Sequence, residues 1–440
     1  VEFFFGALDP EVTMRYAVVM AGGAGTRLWP MSRAGQPKQL LKFIQRPGDS
    51  QTRSLLELAA SRVDGLIEPK HRYICTSEAY REQIRAQLPA FGDEQILGEP
   101  VPRDTVNAVG FAAAVLAKKD PEAIFAVLTA DHVIEPEERF RERMDLAFRM
   151  VEQDPRRLVT FAIKPTYPAT GFGYVERGSP VRDRADGKKK AIDGTTDQAF
   201  YVARFVEKPD VARAQVYMES GDFAWNSGMF VWRAQTFLDA LKAYKPESYD
   251  GLMKVQSAWG TKKQKAVLEE VYPTLPKISV DYAVLEPAAK EAIGGEPVAE
   301  AAGPKDAKGK HEKDGKEKEG KERDARDAKK SRNANAGGGG GRFPICTVQA
   351  DVRWLDVGSW PSFAETLEAD AQGNRTSGDG TALTHEARNN LVVTSDGHTV
   401  ALLGVDDLIV VHTPDATLVM PKARAEELKA VHAKLRAELK

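Results

Sequence analysis

The amino-acid sequence predicts an α/β chain organised on a doubly wound, mostly parallel sheet, followed by a small C-terminal β-unit and a final helix. Three observations lead there. Short apolar runs bounded by turn residues alternate with stretches whose apolar residues recur at helical spacing, as expected of strands buried on both faces with helices laid over them. The first apolar run leads directly into a glycine-rich turn. Beyond residue 390 the helical period gives way to short strands separated by Asp-Gly, Gly-Val-Asp-Asp and Thr-Pro-Asp-Ala turns.

In chain order, residues 16–20, 72–76, 124–129 and 158–163 read as buried parallel strands, with helices predicted over 54–63, 78–88, 105–118 and 136–151. The strand signal continues at 173–175, 202–206 and 228–232, interrupted by a polar loop over 182–197, so a mixed sheet is expected there. From 288 to 341 the composition turns to Lys, Glu, Asp, Gly and Ala, ending in the run Gly337 to Gly341. Such a segment cannot bury enough apolar surface to offset its ordering entropy and is expected to be a disordered, charged insertion. The organisation expected is therefore an N-terminal extension over 1–13, a main α/β domain over 14–287, the insertion, a return to that domain over 342–370, and a β-unit with a helix at about 423–439 over 371–440.

Bulk properties exclude several classes of function. The 440 residues are 42% hydrophobic and 29% charged, enough for a large core. Lys and Arg number 62 against 64 acidic residues, and the net charge of -2 provides no global field for nucleic acid or an anionic membrane. Any anion site must be local. Cys75 and Cys346 lie far apart and the seven histidines form no metal-binding cluster, which argues against a disulfide framework or structural zinc. The start of the chain carries Phe3-Phe4-Phe5 but no basic residues of the kind that open a signal peptide, and Met14 is a candidate alternative start. With no apolar stretch of membrane-spanning length, a cytoplasmic protein is expected.

The glycine-rich turn runs Ala21-Gly22-Gly23-Ala24-Gly25-Thr26-Arg27-Leu28-Trp29-Pro30. Glycines directly after a buried strand let backbone N–H groups approach an anion, and Arg27 adds a cationic fork. It is neither a Walker loop, lacking Gly-Lys-Ser/Thr, nor a dinucleotide-binding G-x-G-x-x-G turn. Alone it could be a tight strand-to-helix connection. Followed by Ser32-Arg33 and Pro37-Lys38-Gln39, however, it resembles the signature of sugar nucleotide pyrophosphorylases, and is most similar to the version found in mannose-1-phosphate guanylyltransferases. The likeness extends from about Met14 to the end of the chain, excluding the insertion.

That resemblance implies a Rossmann-like nucleotidyltransferase making GDP-mannose from GTP and mannose 1-phosphate by Mg²⁺-assisted in-line displacement, with no protein nucleophile. It assigns Arg27 and Lys38 to the transferring phosphates and Gly22, Gly23, Gly25 and Thr26 to the nucleotide. Asp131, which ends a buried strand in Thr129-Ala130-Asp131-His132, and Asp356, in Trp354-Leu355-Asp356-Val357-Gly358-Ser359-Trp360, become the Mg²⁺ ligands. Without it, the first would be read as a helix N-cap and the second as a turn residue. His132 is expected to be structural or to sit behind the ligands. Gly171, Glu207, Lys208 and Asn226 fall in segments resembling those that hold the sugar phosphate.

Base choice is expected near Glu99 and Thr105. A Glu99 carboxylate could accept from guanine's N1–H and exocyclic amine, but Glu99 can equally be read as an exposed loop residue. The chain also departs from the family there, with Thr105-Val106-Asn107-Ala108 where Thr-Ala-Pro-Ala is usual. A homodimer is the candidate assembly, with no nucleic-acid or membrane partner. Competing readings are a different base or sugar specificity and a non-catalytic regulatory paralogue. An added isomerase is disfavoured, because little chain remains after Met420 for a further β-barrel.

Overall fold

Every apolar run predicted as a strand in the first half of the chain forms one, and the mixture of helix and sheet is that of an α/β fold with a C-terminal β-unit. The computed structural model describes residues 13–23, 25–44, 51–185, 188–191, 198–292 and 341–439. Two compact units result: the described residues of 1–16, 103–127 and 142–351 form the first, and those of 17–102, 128–141 and 352–440 the second. The chain thus crosses between the two units several times.

In the second unit the strands Arg15–Ala21, Arg72–Ser77 and Ile96–Glu99 pair in parallel, with Ala17 opposite Arg72 and Ser77 opposite Glu99. Their interiors are almost wholly buried, which explains the unbroken apolar runs. The helix Leu55–Ser61 starts at Ser54, whose hydroxyl accepts from the Glu57 N–H while the Glu57 carboxylate accepts from the Ser54 N–H. The sequence reading of one helix over 78–88 is refined to a 3₁₀ turn, Glu78–Tyr80, followed by the helix Arg81–Gln87.

The sheet of the first unit is mixed. Strand Phe223–Arg233 runs antiparallel to Ile124–Thr129, Leu158–Ile163 and Tyr174–Pro180, while Ile345–Gln349 is parallel to Leu158–Ile163. Helix Asp104–Lys119 is buried along most of its length, packing against helices Ala234–Tyr244 and Pro246–Ala258. The polar loop expected over 182–197 contains an antiparallel strand pair, Arg182–Ala185 with Lys188–Ala191; residues 186, 187 and 192–197 lie outside the described residues. Alternation of Arg, Asp and Lys gave no apolar signal from which to read a strand.

Helix Glu286–Ala292 buries Ala288 and Ala289, so the insertion's boundary, placed at 288 from composition, falls inside an ordered helix. Alanine counts toward both a low-complexity segment and a packed helix, and composition cannot separate the two. The rest of the expected insertion up to residue 340, and residues 1–12 of the N-terminal extension, lie outside the described residues.

The C-terminal strands wind as parallel rungs. Arg375–Gly378, Leu391–Thr394 and Leu408–Thr413 form one parallel sheet, and Thr381–His385 pairs in parallel with Thr399–Leu403 in another. Between the two faces lie Ala387, Val392, Leu402 and Val410. At the corners the Asn390 amide donates to Asn374 Oδ1, 16 residues earlier, at 3.0 Å, and the Leu408 N–H donates to Asn390 Oδ1 at 2.9 Å. The opposite face, including Leu391, Val393, Ile409 and Val411, shares a core with Leu28, Trp29, Val357, Trp360 and Phe363. The helix expected at about 423–439 is broken into a 3₁₀ segment Lys422–Glu427, the α-helix Leu428–Lys434 and a 3₁₀ turn Ala437–Leu439. Among the described residues no helix is long and apolar enough to cross a membrane.

Candidate active site

The glycine-rich loop leaves strand Arg15–Ala21 with Gly23 at φ 95° and Gly25 at φ 64°, conformations that L side chains rarely adopt. Gly25 also gives way to Lys38: a Cβ there would lie 2.7 Å from the Lys38 Cβ. The loop is braced by side chains. Ser32 Oγ donates to Gly25 O at 2.6 Å, and the buried Gln39 donates its amide to Ala21 O at 2.8 Å. Gln39 thus explains the third residue of Pro37-Lys38-Gln39: it holds the loop, while Lys38 faces the acids.

Lys38 Nζ donates to Asp131 Oδ2 at 2.8 Å and reaches Val357 O at 3.4 Å. Asp131 and Asp356 are brought together by local pairing: strand Arg353–Asp356 runs antiparallel to His132–Glu135 with Asp356 opposite His132, and the Val357 N–H donates to Asp131 O at 2.9 Å. Burial raises the Asp131 pKa, but the Lys38 charge and hydrogen bond outweigh it and hold the carboxyl down at about 2. Asp356 goes the other way, to about 6, through burial and then the Asp131 charge beside it. Among the described residues, its buried Oδ1 has no hydrogen-bond partner. Arg27 flanks the same spot, since a Cβ on Gly358 would lie 3.3 Å from both Arg27 Nη2 and Asp356 Oδ1. Arg27 also donates to Glu426 at 3.1 Å.

One ligand atom from each of Asp131, His132 and Asp356 lies within 4.8 Å of the others, an arrangement able to hold a divalent cation. The two carboxylates fit such an ion, because an orphaned buried oxygen next to a second carboxylate is what a hard cation would satisfy. His132 does not fit as a ligand. The Trp354 indole N–H, which can only donate, points at His132 Nδ1 at 3.1 Å, and the Thr129 hydroxyl contacts the same nitrogen. The ring proton therefore sits on Nε2, 3.7 Å from Asp131 Oδ1. Burial keeps the ring neutral by lowering its pKa to about 4. His132 stands behind Asp131.

Glu99 is buried at the end of strand Ile96–Glu99 rather than on an exposed loop. Thr26 opens the short 3₁₀ turn Thr26–Leu28, and a Cβ on Gly22 would meet nothing within 4 Å.

In the first unit a second acidic cluster forms. Glu207 lies against Gly173, where an added Cβ would come within 2.5 Å of Glu207 Oε2 and displace the carboxylate. Gly171 borders open space, with nothing within 4 Å of an added Cβ. Lys208 adopts φ 46°, a strained conformation for a lysine, and its Nζ pairs with Glu207 Oε1 at 2.6 Å. Asn226 accepts from Thr160 Oγ1 at 2.6 Å and donates to Asp281 Oδ1 at 2.9 Å. Asp281 was not singled out from the sequence. Asp281 lies far from Glu207 in the chain, in a segment without a recognisable signal. Thr105, assigned to the nucleotide, accepts from the Val280 N–H at 2.9 Å within this unit. Asn107, at the departure from the family pattern, donates to Pro276 O at 2.6 Å.

A glycine loop at a strand end, a lysine and two carboxylates on an α/β scaffold define an enzyme that handles nucleoside phosphates. The chain belongs to the nucleotidyl transferase family, which matches residues 16–373. Residues 382–435 match the MannoseP isomerase/GMP-like beta-helix domain, in agreement with the parallel rungs. The chain is 33% identical to mannose-1-phosphate guanylyltransferase of Escherichia coli, over 94% of this chain and 73% of that one. It is 30% identical to the xanthan biosynthesis protein XanB of Xanthomonas campestris pv. campestris (strain B100), over 96% and 73%. A crystal structure described as mannose-1-phosphate geranyltransferase from Thermus thermophilus superposes with a TM-score of 0.70 at 26% identity, covering 96% of this chain and 98% of that one.

Proposed function

We propose that this enzyme transfers GMP from GTP to mannose 1-phosphate, forming GDP-mannose and releasing pyrophosphate. The observation that carries the reading is the cluster of Lys38, Asp131 and Asp356 next to the glycine loop. The similarity to proteins named mannose-1-phosphate guanylyltransferase supports the choice of base and sugar.

Asp131 and Asp356 would hold Mg²⁺, which when bound supplies charge stabilisation at phosphate oxygens worth roughly several kcal/mol. The chain's own part is positioning and electrostatics. The amides of Gly22, Gly23 and Gly25, with Thr26, line the loop that receives the triphosphate, and Arg27 and Lys38 place positive charge where the α-phosphate and leaving pyrophosphate gain negative charge. The attacking nucleophile is the phosphate oxygen of the sugar 1-phosphate, so no side chain needs to form a covalent intermediate. Glu99 accepts from the donor edge of guanine, and Thr105 holds the start of its helix. Gly171 leaves room for the sugar, Glu207 and Asn226 bind its hydroxyls, and Lys208 faces its phosphate.

A cytoplasmic homodimer completes the proposal, to be checked by cell fractionation and sedimentation equilibrium. The decisive assay measures pyrophosphate release with GTP, UTP, dTTP and ATP against mannose 1-phosphate and glucose 1-phosphate. Release should be fastest with GTP and mannose 1-phosphate. A preference for another pair would reassign the substrates, and no release with any pair would make the chain a ligand-binding paralogue.

A further inference from the structure

The acidic cluster of the first unit contains one more carboxylate than the sequence reading assigned. Asp281 opens a π-helical turn, Asp281–Leu285, a rare conformation concentrated at functional sites. It is held from several directions. The Val280 N–H before it is fixed by Thr105 Oγ1 at 2.9 Å, the Val106 N–H donates to Ile278 O at 3.3 Å, and Asn226 Nδ2 donates to Asp281 Oδ1 at 2.9 Å. Glu207 lies near enough to raise the Asp281 pKa, in addition to the larger effect of burial, to about 7. Lys208, the cation at hand, places its ammonium on Glu207 at 2.6 Å.

Two neighbouring carboxylates with one lysine call for either a cation or hydroxyl donors. The orientation of Asn226 decides between them. Its carbonyl oxygen is taken up by the Thr160 hydroxyl at 2.6 Å, which turns its NH₂ group toward Asp281. An amide presenting N–H repels a cation and suits a sugar hydroxyl, which donates to a carboxylate while accepting from an amide. Among the described residues this cluster also lacks the third acidic or imidazole ligand that would mark a metal group.

We propose that Asp281 is a specificity-determining residue for the sugar phosphate, its carboxylate accepting a sugar hydroxyl next to those bound by Glu207 and Asn226. The inference rests on the reading that this unit takes a sugar 1-phosphate. Asp281→Asn keeps the shape but turns one of the two acceptor oxygens into an NH₂ donor; with the remaining oxygen held by Asn226 Nδ2, the sugar hydroxyl loses its acceptor.

The test compares wild type and Asp281→Asn on GTP with mannose 1-phosphate and its 2-, 3-, 4- and 6-deoxy analogues. In the wild type, loss of the hydroxyl bound by Asp281 should raise KM about 10-fold or more. In Asp281→Asn, KM for mannose 1-phosphate should rise by a similar factor, KM for GTP should stay within about 2-fold, and that particular deoxy analogue should no longer be discriminated against. A variant that discriminates among the deoxy analogues as the wild type does overturns the proposal. Should circular dichroism show Asp281→Asn misfolded, Asp281→Ser serves for the same comparison. If wild type turns over glucose 1-phosphate and not mannose 1-phosphate, the choice of sugar fails on its own, and the deoxy series of glucose 1-phosphate then judges Asp281.

Discussion

The acidic clusters of the two units use similar parts to different ends. In the second unit Lys38, distant in sequence, neutralises Asp131 at 2.8 Å and leaves Asp356 with a buried oxygen that no group among the described residues satisfies. In the first unit Lys208 pairs with Glu207, its neighbour in the chain, and the remaining carboxylate, Asp281, is met by an amide. The first arrangement is short of positive charge and suits a divalent cation with its phosphates. The second is rich in directed acceptors and donors and suits neutral hydroxyls. The contrast shows that counting acids and lysines does not define a site; which atom of each is already taken does.

The largest effect expected from breaking this contrast is at the cation cluster. Asp131→Asn or Asp356→Asn should lower kcat by about 10²-fold or more, with the circular dichroism spectrum unchanged and KM for mannose 1-phosphate little altered. Full activity in excess chelator, measured by pyrophosphate release, would end the two-carboxylate assignment.

The substitution at Glu99, in the same unit, comes next. Glu99→Gln should reduce the preference for GTP over UTP and dTTP by about 10- to 100-fold, because one matched acceptor becomes a donor facing guanine's donors. KM for the sugar phosphate should not follow. An unchanged nucleotide preference would remove Glu99 from the base site.

A smaller effect separates the clusters by pH. Asp281 binds its proton more tightly in the folded chain, since burial and then Glu207 raise its pKa from 3.8 to about 7. The stability this contributes is complete below about pH 4 and is lost as pH rises through about 7. Asp281→Asn cannot lose it, so relative to wild type its Tm should climb by about a few degrees between pH 4 and pH 8. Asp356, whose pKa is also raised, is present in both proteins and cancels. Parallel Tm curves for the two proteins would show that Asp281 carries no such strain.

The smallest effect concerns the charged segment that separates Asp281 from Asp356 in the chain. Replacing residues 303–340 with a short Gly/Ser linker should leave Tm and kcat/KM for GTP unchanged, as loop-closure entropy varies slowly with length. A large loss of activity with an intact fold would give that segment a role at one of the two clusters.

The sequence by itself determined the main strands and helices of the first half, the glycine-rich loop and the short motifs that carry the candidate residues. Buried parallel strands announce themselves as apolar runs, and Gly23 and Gly25 are needed for local backbone reasons that local sequence carries. Asp131, Lys38, Glu207 and Asn226 were legible because they sit in short motifs. The tertiary structure alone decided what each polar atom is paired with. It made Gln39 a brace of the loop, set the tautomer of His132 through Trp354, and left Asp356 with an unmet oxygen. It also wound the C-terminal strands into parallel rungs, which the turn residues did not distinguish from hairpins, and brought Asp281 to Asn226. Hydrogen bonds and charge interactions act over a few ångströms in space, and the residues they join here are separated by long stretches of chain. No local pattern records such a pairing until the sheets bring the segments together.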